Sequence, residues 1–209
     1  VYTACFGSLP STAGKYLDPL NNIPASVKSA KAVDDNTFEF VADKVLALTK
    51  QIEQQPSKAS LYLERGKLNV RMLEFDDAVA DTSKAIELDK TQVEAYFWRG
   101  MALGRQRKLD AAIDDLSIYL EHRADDSRAY TKRGVRYIWK GDLVSAEKDL
   151  RRAIELDAGN AEAHDDLGVI VAQRGELDKA AQHFSTTVSV DPSYAKGHQN
   201  LAMTYFLQG

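Results

Sequence analysis

A single cysteine, Cys5, is the whole cysteine content of this 209-residue chain. A disulfide framework within the chain is therefore excluded. Glycine and proline are also sparse, at 12 and 5 residues, and most of them separate periodic segments, which favours a helical protein. No apolar run approaches the roughly 20 residues of a membrane-spanning helix. The net charge of -4 provides no basic excess for binding nucleic acid.

A regular repeat runs through residues 59–209. Four full rows of equal length align without a gap, at 59–92, 93–126, 127–160 and 161–194, and a half-row covers 195–209. Small residues recur in every full row, glycine at the eighth position and alanine at the twentieth: Gly66, Gly100, Gly134 and Gly168, then Ala78, Ala112, Ala146 and Ala180. Such residues let two helices approach closely, so each row predicts a helix, a tight turn and a second helix.

These rows resemble the tetratricopeptide repeat, in the variant whose first helix reads "RG" and whose second helix ends in "AIELD". The resemblance covers residues 59–209 and implies an all-α fold. In this fold the helix-turn-helix repeats form a right-handed superhelical α-solenoid, with the first helices lining its concave side. The expected function is that of a non-catalytic scaffold or adaptor that binds a protein or peptide in this groove.

The N-terminal part of the chain differs from the rows. Residues 1–33 lack the period and are predicted to form an irregular arm. Residues 34–56 are predicted to form a capping helix, with a capping box from Asn36 to Glu39 and an end before Pro56. The arm is interpreted either as a tether or as a segment that docks on its own stack or on that of a neighbouring copy. The second interpretation gives the alternative function, a self-assembling structural protein that forms homo-oligomers.

Charged residues inside the rows indicate a structural pattern. The first three rows carry arginine at the seventh position and aspartate at the twenty-third, whereas the fourth has Leu167 and His183. This joint change predicts an ion pair inside each of three hairpins: Arg65–Asp81, Arg99–Asp115 and Arg133–Asp149. Because the pattern recurs at structural positions, the pairs are interpreted as fixing helix register rather than as catalytic groups.

A second stripe on the first helices, beside the packing stripe, is predicted to face the groove and to bind peptide. It includes both tryptophans, and an apolar strip with aromatic anchors is typical of protein-binding surfaces. The alternative is that some of these side chains pack between neighbouring first helices. The predicted peptide-binding residues are Leu63, Lys67, Val70, Arg71, Phe97, Trp98, Met101, Arg105, Arg128, Lys132, Val135, Ile138, Trp139, Asp165, Asp166, Val169, Met203 and Phe206.

The chemistry of this stripe narrows the expected partner. Its charge is basic in the first three rows and acidic in the fourth, which favours a ligand with acidic residues at one end and basic ones at the other. The best-known ligand mode of the family is a clamp on a chaperone's C-terminal carboxylate. That clamp uses asparagines, and Leu63 and Trp98 stand at the corresponding places. An apolar or amphipathic segment of a partner is therefore expected.

Nothing in the sequence predicts catalysis, a cofactor or a metal. His164 and His198 occupy the row position that holds tyrosine in earlier rows, so packing explains them. No glycine-rich phosphate loop is present in the sequence. A soluble protein is expected, with the cytoplasm slightly favoured. Cys5 after Thr3 and Ala4 makes a bacterial periplasmic or lipid-anchored location the alternative, although the apolar stretch of such a signal is absent from the sequence.

Overall fold

The computed structural model describes residues 35–209, with side chains from Phe40 onward. Within this range the chain forms ten α-helices and no strand. The all-α helical repeat fold predicted from the sequence is thus confirmed. The helices are α1 (Asp35–Gln54), α2 (Ala59–Arg71), α3 (Phe75–Leu88), α4 (Val93–Arg105), α5 (Leu109–His122), α6 (Ser127–Lys140), α7 (Leu143–Leu156), α8 (Ala161–Gln173), α9 (Leu177–Val190) and α10 (Ala195–Gln208).

The helices belong to two compact units. The N-terminal unit holds α1 to α5, and the C-terminal unit, Asp125–Gly209, holds α6 to α10. Within each unit consecutive helices pack together, and each first helix also contacts the next first helix: α2 with α4, α6 with α8, and α8 with α10. Neighbouring repeats within one unit are therefore joined through their first helices. The right hand of the superhelix and the division of the chain into arm, cap and repeats stay predictions.

Each hairpin closes where a glycine of its first helix meets the second helix. The alanines at the twentieth row position are fully buried there. At the α8–α9 crossing, a Cβ atom added to Gly168 would lie 2.6 Å from Cε1 of Phe184. Phe184 is itself 0% exposed, so this hairpin has no room for a larger residue at that position.

The turn between the two helices of a row uses a left-handed residue in all four full rows. Gly141 and Gly175 have φ of 88° and 79°, and Leu73 and Arg107 occupy the same row position with φ of 65° and 63°. The left-handed conformation costs a residue with a side chain about 1–2 kcal/mol. Its use without glycine in the first two rows shows that packing of the two helices determines the turn.

The start of the described chain agrees with a helix before the first row. α1 begins at Asp35 and ends at Gln54, just before Pro56, and it packs against α2. The side chains of the predicted capping box, Asn36 and Glu39, lie outside the described residues, as does the arm at 1–33. Between Asp35 and Gln208, none of the helices combines the length and the apolar character needed to cross a membrane.

Candidate functional site

The candidate site is the first-helix surface, defined as the predicted peptide-binding residues of α2, α4, α6, α8 and α10. In the N-terminal unit this surface is part apolar and part cationic. Its half-buried members are Lys67, Val70, Trp98 and Met101, and its exposed members are Arg71 and Arg105. Aromatic and aliphatic carbon therefore reaches solvent here beside two exposed guanidinium groups.

Two predicted members of this surface in the N-terminal unit are buried. Leu63 is 5% exposed and Phe97 is 3% exposed. Leu63 belongs to an apolar cluster with Ile86 against which Trp98 also packs, and the Trp98 ring stands edge-on to that of Phe97, with 5.5 Å between their centroids. The interpretation that these positions lie off the core was wrong for Leu63 and Phe97. Leu63 packs with residues of α3 and α4, and the Phe97 ring lies 5.1 Å from that of Tyr119 in α5.

In the C-terminal unit, too, some members of the first-helix surface reach solvent and others are buried. Lys132, Ile138, Trp139 and Met203 are half-buried, and Arg128 and Phe206 are exposed. Four other predicted members are buried, namely Val135, Asp165, Asp166 and Val169. Packing of α6 against α8, and of α8 against α10, occupies the stripe at these positions. Six of the predicted residues across the two units are therefore buried. The alternative interpretation, packing between first helices, is seen at Asp165, whose carboxylate contacts Asn200 and Lys196 of α10.

Ion pairs between neighbouring first helices neutralise part of the charge in the predicted gradient from basic to acidic rows. Lys132 contacts Glu162 at 2.5 Å, and Lys196 contacts Asp165 at 2.7 Å and Asp166 at 3.2 Å. In the N-terminal unit, Lys67 contacts Glu94 at 2.6 Å and Glu64 at 2.8 Å.

Because Lys67 is paired with Glu64 and Glu94, the positive charge of the first-helix surface in the N-terminal unit lies mainly on two arginines. Arg71 and Arg105, in the last turns of α2 and α4, are exposed. Positive side chains at these ends are also favoured by the helix dipole. This end of the surface is suited to an acidic group.

The three arginine–aspartate pairs lie inside their hairpins. In each pair the guanidinium donates two hydrogen bonds to a carboxylate that is at most 5% exposed. Their Nε–Oδ2 distances are 2.8 Å for Arg65–Asp81, 2.7 Å for Arg99–Asp115 and 2.7 Å for Arg133–Asp149. Tyr62, Tyr96 and Tyr130 lie 5.9, 5.6 and 5.6 Å from the three guanidinium carbons. Each site is thus a fixed group of tyrosine, arginine and aspartate.

Arg65 and Arg99 also bond a hydroxyl of the helix before their own, which the sequence reasoning missed. Arg65 Nη1 donates to Thr49 Oγ1 of α1 at 3.0 Å, and Arg99 Nη1 donates to Ser83 Oγ of α3 at 3.3 Å. A signal for this link was present, because Thr49 and Ser83 are separated by the length of one full row. The second helix of row three carries Arg151 at that position, and row four has Leu167 in place of the arginine.

In row four, His164 and His183 stand at the positions of the tyrosine and the aspartate, and Leu167 replaces the arginine. His164 Nε2 lies 3.3 Å from the Ala158 carbonyl oxygen, which can only accept, so this nitrogen carries the proton. His164 Nδ1 then accepts from His183 Nδ1 at 3.1 Å. Burial lowers the pKa of His164. Burial, followed by the nearby His164 and Arg151, lowers the pKa of His183 to about 4. The pair is therefore neutral at pH 7.

The tyrosine or histidine at the fourth row position bonds a carbonyl oxygen in the loop before its helix. Tyr62 donates its hydroxyl to the Pro56 carbonyl at 3.1 Å, and the Nε2 of His198 is 2.9 Å from the Pro192 carbonyl. Both carbonyls lie in the loop before the helix. His198 is exposed, so the interpretation that packing explains it was wrong, and its hydrogen bond is the better reason.

Acid is expected to weaken the α8–α9 hairpin through this pair. The folded-state pKa of His183, about 4, is below the ordinary value near 6.5. The unfolded chain therefore binds more protons between these pH values, and stability falls as pH falls through this window. In urea denaturation, wild type should lose on the order of 2 kcal/mol between pH 7.5 and pH 4.5 from this group.

His183→Gln retains an amide donor towards His164 and should flatten the pH dependence in that window. His122→Gln is the matched control, because His122 is exposed in α5. An unchanged pH profile in His183→Gln would show that the histidine pair has no such effect.

Among residues 35–209, no group of three or more histidine, cysteine, aspartate or glutamate side chains is arranged to hold a metal ion. The adjacent Asp165 and Asp166 instead belong to the ion pairs described above. The surface offers half-buried apolar carbon, two tryptophans and fixed charges. These features suit the binding of a polypeptide.

Comparisons with known proteins agree with this architecture. A family model for the tetratricopeptide repeat matches residues 63–129 and 131–195. A crystal structure of MamA is 25% identical, with a TM-score of 0.68, and the match covers 77% of this chain and 94% of that one. YrrB, a TPR protein with an unusual peptide-binding site, is 27% identical with a TM-score of 0.63, covering 78% and 84%.

A third structure, MamA from residue 41 onward from Desulfovibrio magneticus RS-1, is 17% identical with a TM-score of 0.68, covering 83% and 99%. At this identity the match concerns the fold alone. No curated protein sequence matches the chain.

Proposed function

Because the chain belongs to the tetratricopeptide repeat family, we propose that it is a non-catalytic scaffold that binds a peptide or helix of a partner protein on its first-helix surface. The observation that carries the proposal is the position of Trp98 and Trp139. One lies in each unit, and both are half-buried. Each indole is therefore anchored and still offers part of its ring to a ligand, as binding hot spots do.

Neighbouring contacts hold both rings in place. Trp98 packs on the apolar cluster of α2 to α4, and Trp139 lies under the guanidinium of Arg136, 5.1 Å from the ring centroid. Anchored aromatic rings lose little conformational entropy on binding. The similarity to YrrB, a TPR protein with a peptide-binding site, supports the same function for this chain.

Trp98→Ala and Trp139→Ala are each expected to weaken partner binding about 30-fold or more, the loss typical of a hot-spot residue. The partner is first identified by capture on the immobilised full chain and mass spectrometry. Its binding segment is then titrated against wild type and each variant by fluorescence anisotropy.

Circular dichroism is needed to establish that both variants remain folded, because Trp98 also packs internally. Val144→Ala and Val190→Ala are the matched controls, since both valines are exposed on second helices, at 79% and 44%. Unchanged affinity in both tryptophan variants, or an equal loss in the valine variants, would refute binding through the first-helix surface.

The alternative function, self-assembly through the arm, depends on residues 1–33. These lie outside the described residues. The first-helix surface is described in both units, and the proposal of partner binding therefore rests on it.

A further inference from the structure

We propose that the groove between α1 and α2 docks an amphipathic helix of a partner protein, with acidic side chains flanking its apolar face. This proposal deepens the proposed function and rests on it, because α2 also contributes to the first-helix surface. The groove is lined by Lys44, Ala47, Leu48 and Gln51 of α1 and by Leu68 and Arg71 of α2. All of these residues belong to the N-terminal unit.

The position of the groove in the repeat architecture indicates that its occupant is a helix. In each unit a first helix lies against both its own second helix and the following first helix, as α2 does with α3 and α4, and α8 with α9 and α10. The helix α1 ends one full row length before α3 ends, so it stands where a second helix would be. Within the described residues α1 contacts α2 alone. The groove between α1 and α2 thus lies where the first helix of a preceding row would pack.

One residue distinguishes this groove from those inside the repeats. Lys44 precedes Ala78 by one full row length, at the position where every full row has a buried alanine. Lys44 is exposed, and its Nζ lies 4.2 Å from the centroid of the Phe40 ring. An ordinary first helix approaches the second helix closely at this point. A helix that docks over Lys44 instead has to cross farther out and offer an acceptor to the ammonium group.

The charges around the apolar floor favour an acidic partner. Lys44 and Arg71 are both exposed, on opposite walls of the groove. The acidic residue of the lining, Glu64, is already bound by Lys67 at 2.8 Å. A helix with leucines against Ala47 and Leu48 and with glutamates at its flanks would complement both walls.

The chain's own candidates carry the wrong charge for this groove. The arm at 1–33 has three lysines and one aspartate. The helix α10, which a second copy could supply, reads "AKGHQNLAMTYFLQ", with one lysine and no acidic residue. Either segment would bring a lysine towards Lys44 and Arg71, and like charges in contact are unfavourable. These observations favour a different, acidic protein as the occupant.

The test uses the full chain and two synthetic helical peptides as probes. Both have leucine at helical spacing, one has glutamate at the flanking positions and the other has lysine there. In fluorescence anisotropy, wild type should bind the glutamate peptide at least ten times more tightly than the lysine peptide. The double change Lys44→Glu and Arg71→Glu should reverse this preference. Lys50→Glu with Lys90→Glu alters the net charge equally at exposed residues outside the groove and should leave the preference unchanged.

A photocrosslinking amino acid at Gln51, which is exposed in the groove, identifies the occupant directly. Crosslinks from this site to the glutamate peptide are expected, and the same group at Lys50 should give far fewer. Crosslinks to residues 1–33 of the same chain, or to a second copy, would overturn the proposal. So would weak binding of the glutamate peptide or a preference that the charge reversal does not change.

The two proposals can fail separately. If the tryptophan variants still capture the natural partner while the Gln51 crosslink and the charge reversal succeed, the first-helix surface is excluded and the α1–α2 groove stands. If capture depends on the tryptophans but Gln51 does not crosslink the glutamate peptide, the groove proposal alone is overturned.

Discussion

Replacing Asp115 alone by alanine is expected to destabilise the protein more than replacing Asp115 and Arg99 together. Arg99 donates from Nε and Nη2 to Asp115 at 2.7 and 2.8 Å. The carboxylate side chain is 6% exposed and that of the arginine 24%. Removing one partner leaves the other charge desolvated and unmatched, at a cost of about 3–5 kcal/mol. Removing both side chains leaves no unpaired charge, so the loss of stability should be smaller.

The measurement is a double-mutant cycle on the free energy of unfolding from urea denaturation. Arg99→Ala, Asp115→Ala and the double variant are compared with wild type, and a coupling of about 2 kcal/mol or more is expected. Arg152 with Glu155, an exposed pair in α7 with side chains 45% and 64% exposed, provides the matched cycle. Its coupling should be below about 1 kcal/mol. If the effects of Arg99→Ala and Asp115→Ala are additive, the two residues do not act as a pair.

Gly168→Ala is expected to lower the free energy of unfolding by about 3 kcal/mol, even though alanine favours helix formation by about 1 kcal/mol over glycine. The new methyl group would lie 2.6 Å from Phe184 Cε1 and 2.9 Å from its Cδ1. The ring is fully buried and cannot move without displacing α9. The effect is read from thermal and urea denaturation followed by circular dichroism.

A compensating change separates this clash from other causes. Gly168→Ala combined with Phe184→Leu should be more stable than Gly168→Ala alone, because the smaller side chain leaves room for the methyl group. Gly134→Ala is the matched control, since its Cβ would lie 3.1 Å from Leu150 Cγ. Its net change should be within about 1 kcal/mol. Equal destabilisation at Gly134 and Gly168 would show that the ring is not the cause.

The hairpins and their internal pairs could be predicted from the sequence because both follow the period of the rows. Gly66 recurs as Gly100 and Gly134, and a contact repeated at fixed spacing leaves a pattern that can be read along one chain. The pair Arg65–Asp81 was similarly visible, since arginine and aspartate disappear together in row four. Comparing equivalent positions in successive rows of one chain thus gave the information that an alignment of related chains would give.

Burial on the first-helix surface could not be predicted in the same way. Whether Leu63 or Val70 faces solvent depends on how far each first helix is shifted relative to the next. That shift is set by packing across the repeats, and Leu63 is buried whereas Val70 is half-buried. The ion pair of Lys132 with Glu162 depends on the same shift. The period identifies which residues are equivalent, but it does not measure the distance between neighbouring rows.

The links from Arg65 and Arg99 to a hydroxyl of the helix before their own have a consequence for the order of the repeats. Arg65 of row one donates to Thr49, and Ser83 of row one accepts from Arg99 of row two. Row one thus carries a guanidinium donor on one side and a hydroxyl acceptor on the other. A second copy of row one, placed directly after the first, would meet a matching neighbour on both sides. Row four in that place would set Leu167 against a serine and interrupt the link. Row one therefore has a donor on one side and an acceptor on the other, and this chemistry limits which row can follow it.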